Sequence, residues 1–346
     1  MKKGNKYGTH RVLEPVGSLP QPAFKISNNM EIYDNEILID VDYLNIDSAS
    51  FTQLKDETND DIDKIKKRIY EIVNERGKMQ NPVTGSGGML MGRVEQIGDA
   101  LKDKIDLEIG DKIATLVSLS LTPLRIDEIL NIQPEIDRVE IKGKAILFES
   151  GKYAKIPENI ENALALAALD VAGAPAQVKN LVKEGDVVLI LGATGKSGLM
   201  CSYMAKKMCG KIGKVIGQAR NESRAEFLRN TDFCHEVIIG DVRNPINILE
   251  ETLSVNNGKE VDISINCLSI PNTEMASILP VRDGGIVYFF SMATSFTKAA
   301  LGAEGVGKDV TMIIGNGYTK NHAQITLDLV QESDILRKIF KEKYLI

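Results

Sequence analysis

Residues Gly185 to Gln218 have the sequence GDVVLILGATGKSGLMCSYMAKKMCGKIGKVIGQ, and this stretch decides the fold. Its first part, Val187 to Leu191, is an uncharged run of Val, Leu and Ile, which is typical of a parallel strand buried on both faces. A glycine-rich turn follows, and residues 199–208 then have the apolar spacing of a helix. Gly210 ends that helix, and Val215 begins a second apolar run. The pattern predicts a strand, a tight turn, a helix and a second strand.

The turn has the sequence Gly192-Ala-Thr-Gly195-Lys-Ser-Gly198. Gly192 permits a sharp turn off the strand, Gly195 lets the backbone approach a pyrophosphate, and Gly198 lets the helix pack close to the sheet. The pyrophosphate would accept hydrogen bonds from N–H groups at the start of the helix. The alternative is a glycine-rich turn that binds nothing. We expect a dinucleotide to be bound by the loop residues Gly192, Thr194, Gly195, Lys196, Ser197 and Gly198.

The rest of the C-terminal half continues to alternate between strands and helices. Four further apolar segments predict strands, with helical stretches between most of them: EVIIG (236–240), VDISINC (261–267), GGIVYFF (284–290) and VTMIIGN (310–316). Alternation of this kind is the signature of an α/β fold with a doubly wound parallel sheet. Residues 326–340 predict a closing helix.

The N-terminal half has a different pattern. In residues 32–46 apolar residues alternate with Asp and Asn, which predicts a half-buried antiparallel strand. Residues 60–76 are acidic at first and basic later, with isoleucines on one face, which predicts a helix that ends at Gly77. The sequence therefore predicts a β-rich domain with one inserted helix. The alanine- and leucine-rich segment at 160–169 predicts a helix that links it to the second half.

The composition restricts the class of protein. The chain has 346 residues, enough for two domains, and a net charge of −6, which argues against general affinity for nucleic acids. It has no apolar run of about 18 residues, so no membrane span is expected, and the N-terminus lacks the apolar core of a secretory signal. The four cysteines lack C-x-x-C spacing, so we expect free thiols in a cytoplasmic protein.

Together these features resemble the medium-chain dehydrogenase/reductase superfamily. Residues 34–51 are similar to the strand that leads into that superfamily's active-site loop. Residues 85–98 are similar to the segment that usually has the pattern G-H-E-x-x-G-x-V, and residues 109–114 to its G-D-x-V turn. The match extends over most of the chain.

This resemblance implies a domain plan and further contacts. It implies a Rossmann domain at residues 167–312 and a β-rich GroES-like catalytic domain at residues 1–166 and 313–346. It implies that Cys267 and Ser291 help to bind a nicotinamide cofactor at the ends of two strands of the Rossmann sheet. It also implies a homodimer, because the sixth strand of the sheet often pairs across a two-fold axis in that superfamily.

Within the superfamily the chain resembles the L-erythro-3,5-diaminohexanoate dehydrogenase family. The resemblance rests on YGTHRVLEPVGSLPQPA (7–23), on the inserted helix and on LDVAGAPAQV (169–178). It implies oxidative deamination of a small diamino acid to 5-amino-3-oxohexanoate in lysine fermentation, with hydride transfer to NAD or NADP. The alternatives are a zinc-free quinone or enoyl reductase, and a nucleotide-binding redox sensor without turnover.

The residues that would hold a catalytic zinc are missing. Asn45 or Asp47 occupies the place of the first ligand of the zinc-containing members, and Gly87-Gly88 occupies the place of the His-Glu pair. A zinc site needs at least three good ligands, and the chain has only three histidines, which are scattered. We therefore expect an enzyme without a metal.

Carboxylates could replace the metal, because they hold an ammonium group and act as general bases. Asp170 interrupts an apolar Ala/Leu segment near the place of a zinc-ligand cysteine, and Asp47 follows the long strand, so both are candidate catalytic residues. The alternatives are a helix-capping role for Asp170 and a solvated loop position for Asp47. Arg11 is a candidate for binding the substrate carboxylate, since a guanidinium matches it bidentately. The alternative is an arginine on the protein surface.

The end of the second strand of the Rossmann sheet determines the cofactor preference. An NAD enzyme usually has Asp or Glu there for the ribose hydroxyls, whereas this chain has Ala219 followed by Arg220. An arginine without a neighbouring carboxylate suits the 2′-phosphate, so the sequence favours NADP over NAD. The alternative is that Arg220 stacks on the adenine and NAD binds.

Overall fold

The structure is a computed structural model that describes residues 1–290, 293–315 and 317–344. By its internal contacts the chain divides into two compact units, Met1–Leu166 and Ala167–Lys343. None of the described helices is long and apolar enough to cross a membrane.

The first unit is built on an antiparallel sheet. A short pair, β1 (Val12–Glu14) and β2 (Lys25–Ile26), lies apart from a six-stranded sheet with the order β6-β7-β3-β4-β5-β8. The six strands are β3 (Glu36–Asn45), β4 (Met89–Ile97), β5 (Lys112–Thr115), β6 (Leu124–Gln133), β7 (Arg138–Phe148) and β8 (Tyr153–Lys155). The strand predicted from the alternating pattern is β3, which pairs with β4 and β7 on its two sides.

Two helices follow β3 and share a buried hydrophobic cluster with the strands of its sheet. They are α1 (Ser48–Thr58) and α2 (Ile62–Arg76), and the second confirms the predicted helix. Gly77 ends α2 with φ of 71°. Phe51 and Leu54 of α1 pack in one buried cluster with Ile65 and Ile69 of α2. The sequence analysis missed α1, although Asp47 at its N-cap and the apolar spacing of Phe51 and Leu54 were signals for a helix start.

The second unit confirms the doubly wound parallel sheet. Its strand order is β11-β10-β9-β12-β13-β14, and every pair in it is parallel. The strands are β9 (Val187–Leu191), β10 (Lys214–Ala219), β11 (Glu236–Ile239), β12 (Val261–Asn266), β13 (Val281–Phe289) and β14 (Val310–Ile314). The order changes direction between β9 and β12, and in such sheets ligands bind outside the carboxyl ends of the strands at this point.

Helices connect these strands and complete the chain. α3 (Asn162–Leu169) contains the residues between which the chain divides into the two units, Leu166 and Ala167. The others are α4 (Gly173–Leu181), α5 (Lys196–Cys209), α6 (Glu222–Arg229), α7 (Pro245–Val255), α8 (Glu274–Ile278), α9 (Phe296–Val306), α10 (His322–Glu332) and α11 (Asp334–Tyr344).

The division by contacts differs from the expected domain boundary at the C-terminal end. Residues 313–346 were expected in the catalytic domain, but the contacts place residues up to Lys343 in the second unit. The physical reason is local pairing: β14 completes the parallel sheet beside β13, and α10 packs on α4 and α5. In particular, the Thr326 hydroxyl donates to the carbonyl oxygen of Ala172, and Lys207 pairs with Glu332 at 2.7 Å.

Candidate cofactor and substrate site

The glycine loop joins β9 to α5. Gly192 has φ of +75°, and its N–H donates to Oε1 of Gln218 at 3.0 Å. A Cβ at Gly198 would lie 2.1 Å from the carbonyl oxygen of Gly192, so any side chain there would collide with the turn. Because α5 begins after Gly195 without a side-chain cap, amides of its first turn such as that of Ser197 can donate to an anion. The loop therefore fits a dinucleotide pyrophosphate.

The carboxyl end of β12 lies against this loop. The N–H of Cys267 donates to the carbonyl oxygen of Leu191 at 3.0 Å. The Cδ2 atom of Leu268 would lie 2.9 Å from a Cβ at Gly192. Cys267 and Thr194 are both partly exposed. The structure thus brings Cys267 to the glycine loop, while Ser291 lies outside the described residues.

Gln218 is a structural part of this site that the sequence analysis missed. Its side chain is buried, accepts from the N–H of Gly192 and donates to the carbonyl oxygen of Gly240 at 2.8 Å. The amide thereby ties the glycine loop to the ends of β10 and β11. An uncharged polar residue at the end of an otherwise apolar buried strand was the available signal.

The residues that follow Gln218 lie where the ribose of a cofactor would be recognised. Ala219 is buried at the end of β10, and Arg220 is exposed beyond it. Asn221 is occupied as the N-cap of α6, because its side chain accepts from the N–H of Arg224 at 3.0 Å. The position that usually carries an acidic residue therefore presents a methyl group, with a guanidinium beside it.

Asp170 and Lys196 form an ion pair at the loop. The Nζ of Lys196 lies 2.8 Å from Oδ2 of Asp170, and the two side chains are 27% and 45% exposed. Lys196 is the first residue of α5, and Asp170 follows α3. The structure therefore brings together a residue expected to contact the cofactor and one expected to contact the substrate, although 26 positions separate them in the sequence.

Asp47 lies in the first unit as the N-cap of α1. Its Oδ1 accepts from the N–H of Ser50 at 3.0 Å, so Asp47 has a capping contact that the alternative of a solvated loop position did not include. Its Oδ2 is buried and has no hydrogen-bond partner among the residues that the structure describes. Buried polar atoms without a partner are rare, so this oxygen is an unusual feature of the first unit.

The Gly87-Gly88 pair has no room for zinc-ligand side chains. A Cβ at Gly87 would lie 2.4 Å from the carbonyl oxygen of Met79, and one at Gly88 would lie 2.0 Å from that of Asn45. Within residues 1–290, 293–315 and 317–344, no three His, Cys, Asp or Glu side chains are placed to hold a metal ion. The absence of zinc in the active protein stays a prediction.

Arg11 is buried, whereas the alternative in the sequence analysis placed it on the protein surface. It is 2% exposed and forms a bidentate pair with Glu36, with Nε–Oε1 at 2.7 Å and Nη2–Oε2 at 2.6 Å. The same guanidinium donates to the carbonyl oxygens of Asn29 and Glu31. This geometry is contrary to the expectation that Arg11 binds the substrate carboxylate, because its two paired donors already hold an internal carboxylate.

Glu36 accepts from several donors. Burial alone would raise the pKa of Glu36, but hydrogen bonds from Arg11, His10 and the N–H of Tyr33 lower it to about 2. The His10 Nε2 lies 2.8 Å from Oε1 of Glu36, and its Nδ1 accepts from the N–H of Asn5. His10 and Arg11 together therefore fix the N-terminal segment to the start of β3.

Comparison with known proteins identifies the family. Residues 10–157 match the family model described as the L-erythro-3,5-diaminohexanoate dehydrogenase N-terminal domain. An L-erythro-3,5-diaminohexanoate dehydrogenase of Acetoanaerobium sticklandii is 67% identical over 343 residues, which are 99% of this chain and 100% of that protein. The chain belongs to the L-erythro-3,5-diaminohexanoate dehydrogenase family. A second member, from Fusobacterium nucleatum, is 65% identical over 345 residues, which are 100% of both chains.

Solved structures show the same fold at low identity. A mycobacterial quinone oxidoreductase has a TM-score of 0.57 at 15% identity and covers 94% of this dehydrogenase-family chain and 93% of its own. The Escherichia coli quinone oxidoreductase in complex with NADPH has a TM-score of 0.55 at 15% identity, covering 88% of this chain and 80% of its own. These likenesses confirm the fold class, with a parallel six-stranded sheet and a separate antiparallel sheet.

Proposed function

We propose that this protein oxidatively deaminates L-erythro-3,5-diaminohexanoate to 5-amino-3-oxohexanoate, in the cytoplasm and as a step of lysine fermentation. The observation that carries the proposal is full-length identity of 65–67% to two dehydrogenases of that name. The glycine loop at the carboxyl end of β9 supports the binding of a dinucleotide. When the dinucleotide is bound, its nicotinamide supplies the hydride acceptor.

The chain's own part in the reaction is to bind the diamine and to move protons. We propose that Asp170 holds the ammonium group that reacts and takes its proton, because a neutral amine must form before hydride is lost. Lys196, 2.8 Å away, fixes the orientation of the carboxylate. Asp47, whose Oδ2 is buried without a partner among the described residues, is the second candidate for a proton acceptor.

The decisive experiment is an assay of nicotinamide reduction over a panel of β-amino acids that includes 3,5-diaminohexanoate. We expect turnover with the diamino acid and far less with analogues that lack the second amine. The same preparation is tested against quinones and enones. Reduction of these with no deamination would support the quinone or enoyl reductase, and cofactor binding with no turnover on any of them would support the redox sensor.

The cofactor preference is tested at Arg220. We propose that NADP is accepted and preferred, since Ala219 removes the acidic group and Arg220 can pair with a 2′-phosphate. Arg220→Ala is then expected to weaken NADP binding by about 1.5–3 kcal/mol, the contribution of a charge-assisted hydrogen bond, and NAD binding much less. Titration of both cofactors measures this. Arg229→Ala is a matched control on α6, because that arginine already pairs with Glu222. Equal losses for NADP and NAD at Arg220 would contradict the assignment.

We also propose a homodimer that pairs through β14. This strand is at the edge of the parallel sheet and carries apolar residues, with Ile314 62% exposed. An open apolar edge strand is prone to pair with another chain. Light scattering at micromolar concentration is expected to give twice the mass of one chain, and a monomer would contradict the proposal.

A further inference from the structure

Two thiols are in contact beside the cofactor loop. The Sγ atoms of Cys201 on α5 and Cys267 after β12 are 3.7 Å apart. Cys201 is fully buried and Cys267 is partly exposed. The Sγ of Cys209, by comparison, contacts the backbone oxygens of Lys206 and Gly210. Cys267 is therefore the member of the contacting pair with partial exposure to solvent, and Cys201 is the buried member.

The pair bridges the two elements that shape the glycine loop. Cys201 lies on the helix that begins at the loop, and the N–H of Cys267 donates to the carbonyl oxygen of Leu191 at the end of β9. The backbone carbon of Cys267 is 3.4 Å from the position of a Cβ at Gly192. A bond between the two sulfurs would therefore act on both sides of the pyrophosphate site.

We propose that hydrogen peroxide oxidises Cys201 and Cys267 to a reversible disulfide, and that this disulfide weakens dinucleotide binding. The inference goes beyond the deamination reaction and depends only on a cofactor at the glycine loop.

The chemistry begins at Cys267, the partly exposed member of the pair. Cys267 attacks one oxygen of the peroxide, the O–O bond breaks, and the leaving hydroxide takes a proton to become water. The sulfur, now a sulfenic acid, has given two electrons to the peroxide. The Cys201 sulfur then attacks it, the S–O bond breaks, and the hydroxide leaves as a second water with the Cys201 proton. A dithiol reverses the step by thiol–disulfide exchange.

The order of events follows from burial. Burial, and then the neighbouring Cys267, raise the pKa of the Cys201 thiol, so it stays protonated and is a poor first nucleophile. At 3.7 Å it is nevertheless already in place to attack the oxidised partner.

Closing the pair moves the loop. A disulfide has an S–S length of roughly 2.05 Å, so the sulfurs must approach by more than about 1 Å from their 3.7 Å separation. α5 and the end of β12 both take part in this shift. A displacement of about 1 Å in a binding site can reduce activity about 10²-fold, and we expect a loss of that order in dinucleotide affinity.

The test uses the full-length protein, first reduced and then treated with equimolar hydrogen peroxide. We expect the intact mass to fall by two hydrogens, a proteolytic map to join the peptides of Cys201 and Cys267, and affinity for reduced dinucleotide to fall about 10²-fold by fluorescence titration. Dithiothreitol should restore the mass and the affinity. This readout is independent of deamination, so failure of the proposed substrate would leave it unaffected.

Two variants make the test specific. Cys201→Ala is expected to bind the dinucleotide normally and to form no internal disulfide. Cys209→Ala, a change of another buried cysteine on the same helix, should respond to peroxide like the parent protein. The proposal is overturned if the peptides do not join, if the disulfide forms without any loss of affinity, or if Cys201→Ala loses affinity on oxidation as fully and as reversibly as the parent.

Discussion

Replacing Asp170 by Asn is expected to lower kcat/KM for 3,5-diaminohexanoate by about 10²–10⁴, the usual range for losing a positioned acid or base. Asparagine keeps the shape of the side chain, but its neutral amide cannot accept the proton that the carboxylate of Asp170 would take. The ion pair with Lys196 has one side chain 45% exposed, so its loss should cost at most about 1 kcal/mol of stability. Steady-state kinetics and a melting curve on the same preparation separate the two effects.

The cofactor is an internal control for this variant. The N–H of Gly192 and the backbone amides at the start of α5 do not contact Asp170, so dinucleotide affinity should change little although the Lys196 side chain loses its carboxylate partner. Asp232→Asn is the matched variant, because Asp232 also pairs with a lysine of α5, Lys206 at 2.9 Å, but follows α6. We expect that variant to keep full activity. An active Asp170→Asn enzyme, or one that loses only cofactor binding, would show that the carboxylate has a structural role.

The activity of Asp47→Asn is to be measured alongside that of Asp170→Asn. The amide would keep the oxygen that caps α1 and would remove the charge at Oδ2. A loss comparable with that of Asp170→Asn would show that both carboxylates are needed for the reaction. A stable, fully active variant would leave Asp47 as a helix cap only.

The parts of the fold that were predictable are those that local sequence determines. The run Val187 to Leu191, followed by three glycines at fixed spacing, predicted β9, its turn and α5, because burial on both faces and a close backbone approach restrict residue types locally. Which side chains pair with each other was not predictable in this way. The Asp170–Lys196 pair joins residues 26 positions apart, so tertiary structure brings them together.

Arg11 is a second residue whose interaction partner was not predictable from the sequence. The sequence predicted that its guanidinium would bind a carboxylate, which is correct chemistry, but the carboxylate is that of Glu36, 25 positions away. Nothing in the alternation of β3 distinguishes Glu36 from a solvent-facing acid, since its burial depends on the N-terminal segment that folds over it. Residue type predicts the kind of interaction here, and tertiary packing determines the partner.

Replacing Arg11 by Met is expected to destabilise the first unit by about 3–5 kcal/mol, because it leaves the buried carboxylate of Glu36 without its main partner. Arg125→Met is the matched control. That arginine pairs with Asp127 on the same unit, but the two side chains are 45% and 51% exposed, so its loss should cost about 0–1 kcal/mol. Denaturant unfolding of the parent and both variants measures the difference.

The pH dependence of stability gives an independent readout of the same pair. The pKa of Glu36 falls from the ordinary value of 4.5 to about 2 on folding, so the unfolded chain binds more protons between these values. The stabilisation, on the order of 3 kcal/mol, is complete above pH 4.5 and is lost as the pH falls towards 2. We expect the parent to lose stability across this window more steeply than Glu36→Gln. If Arg11→Met instead keeps full stability and raises KM for the diamino acid, Arg11 binds the substrate and the internal pair is not what holds it in place.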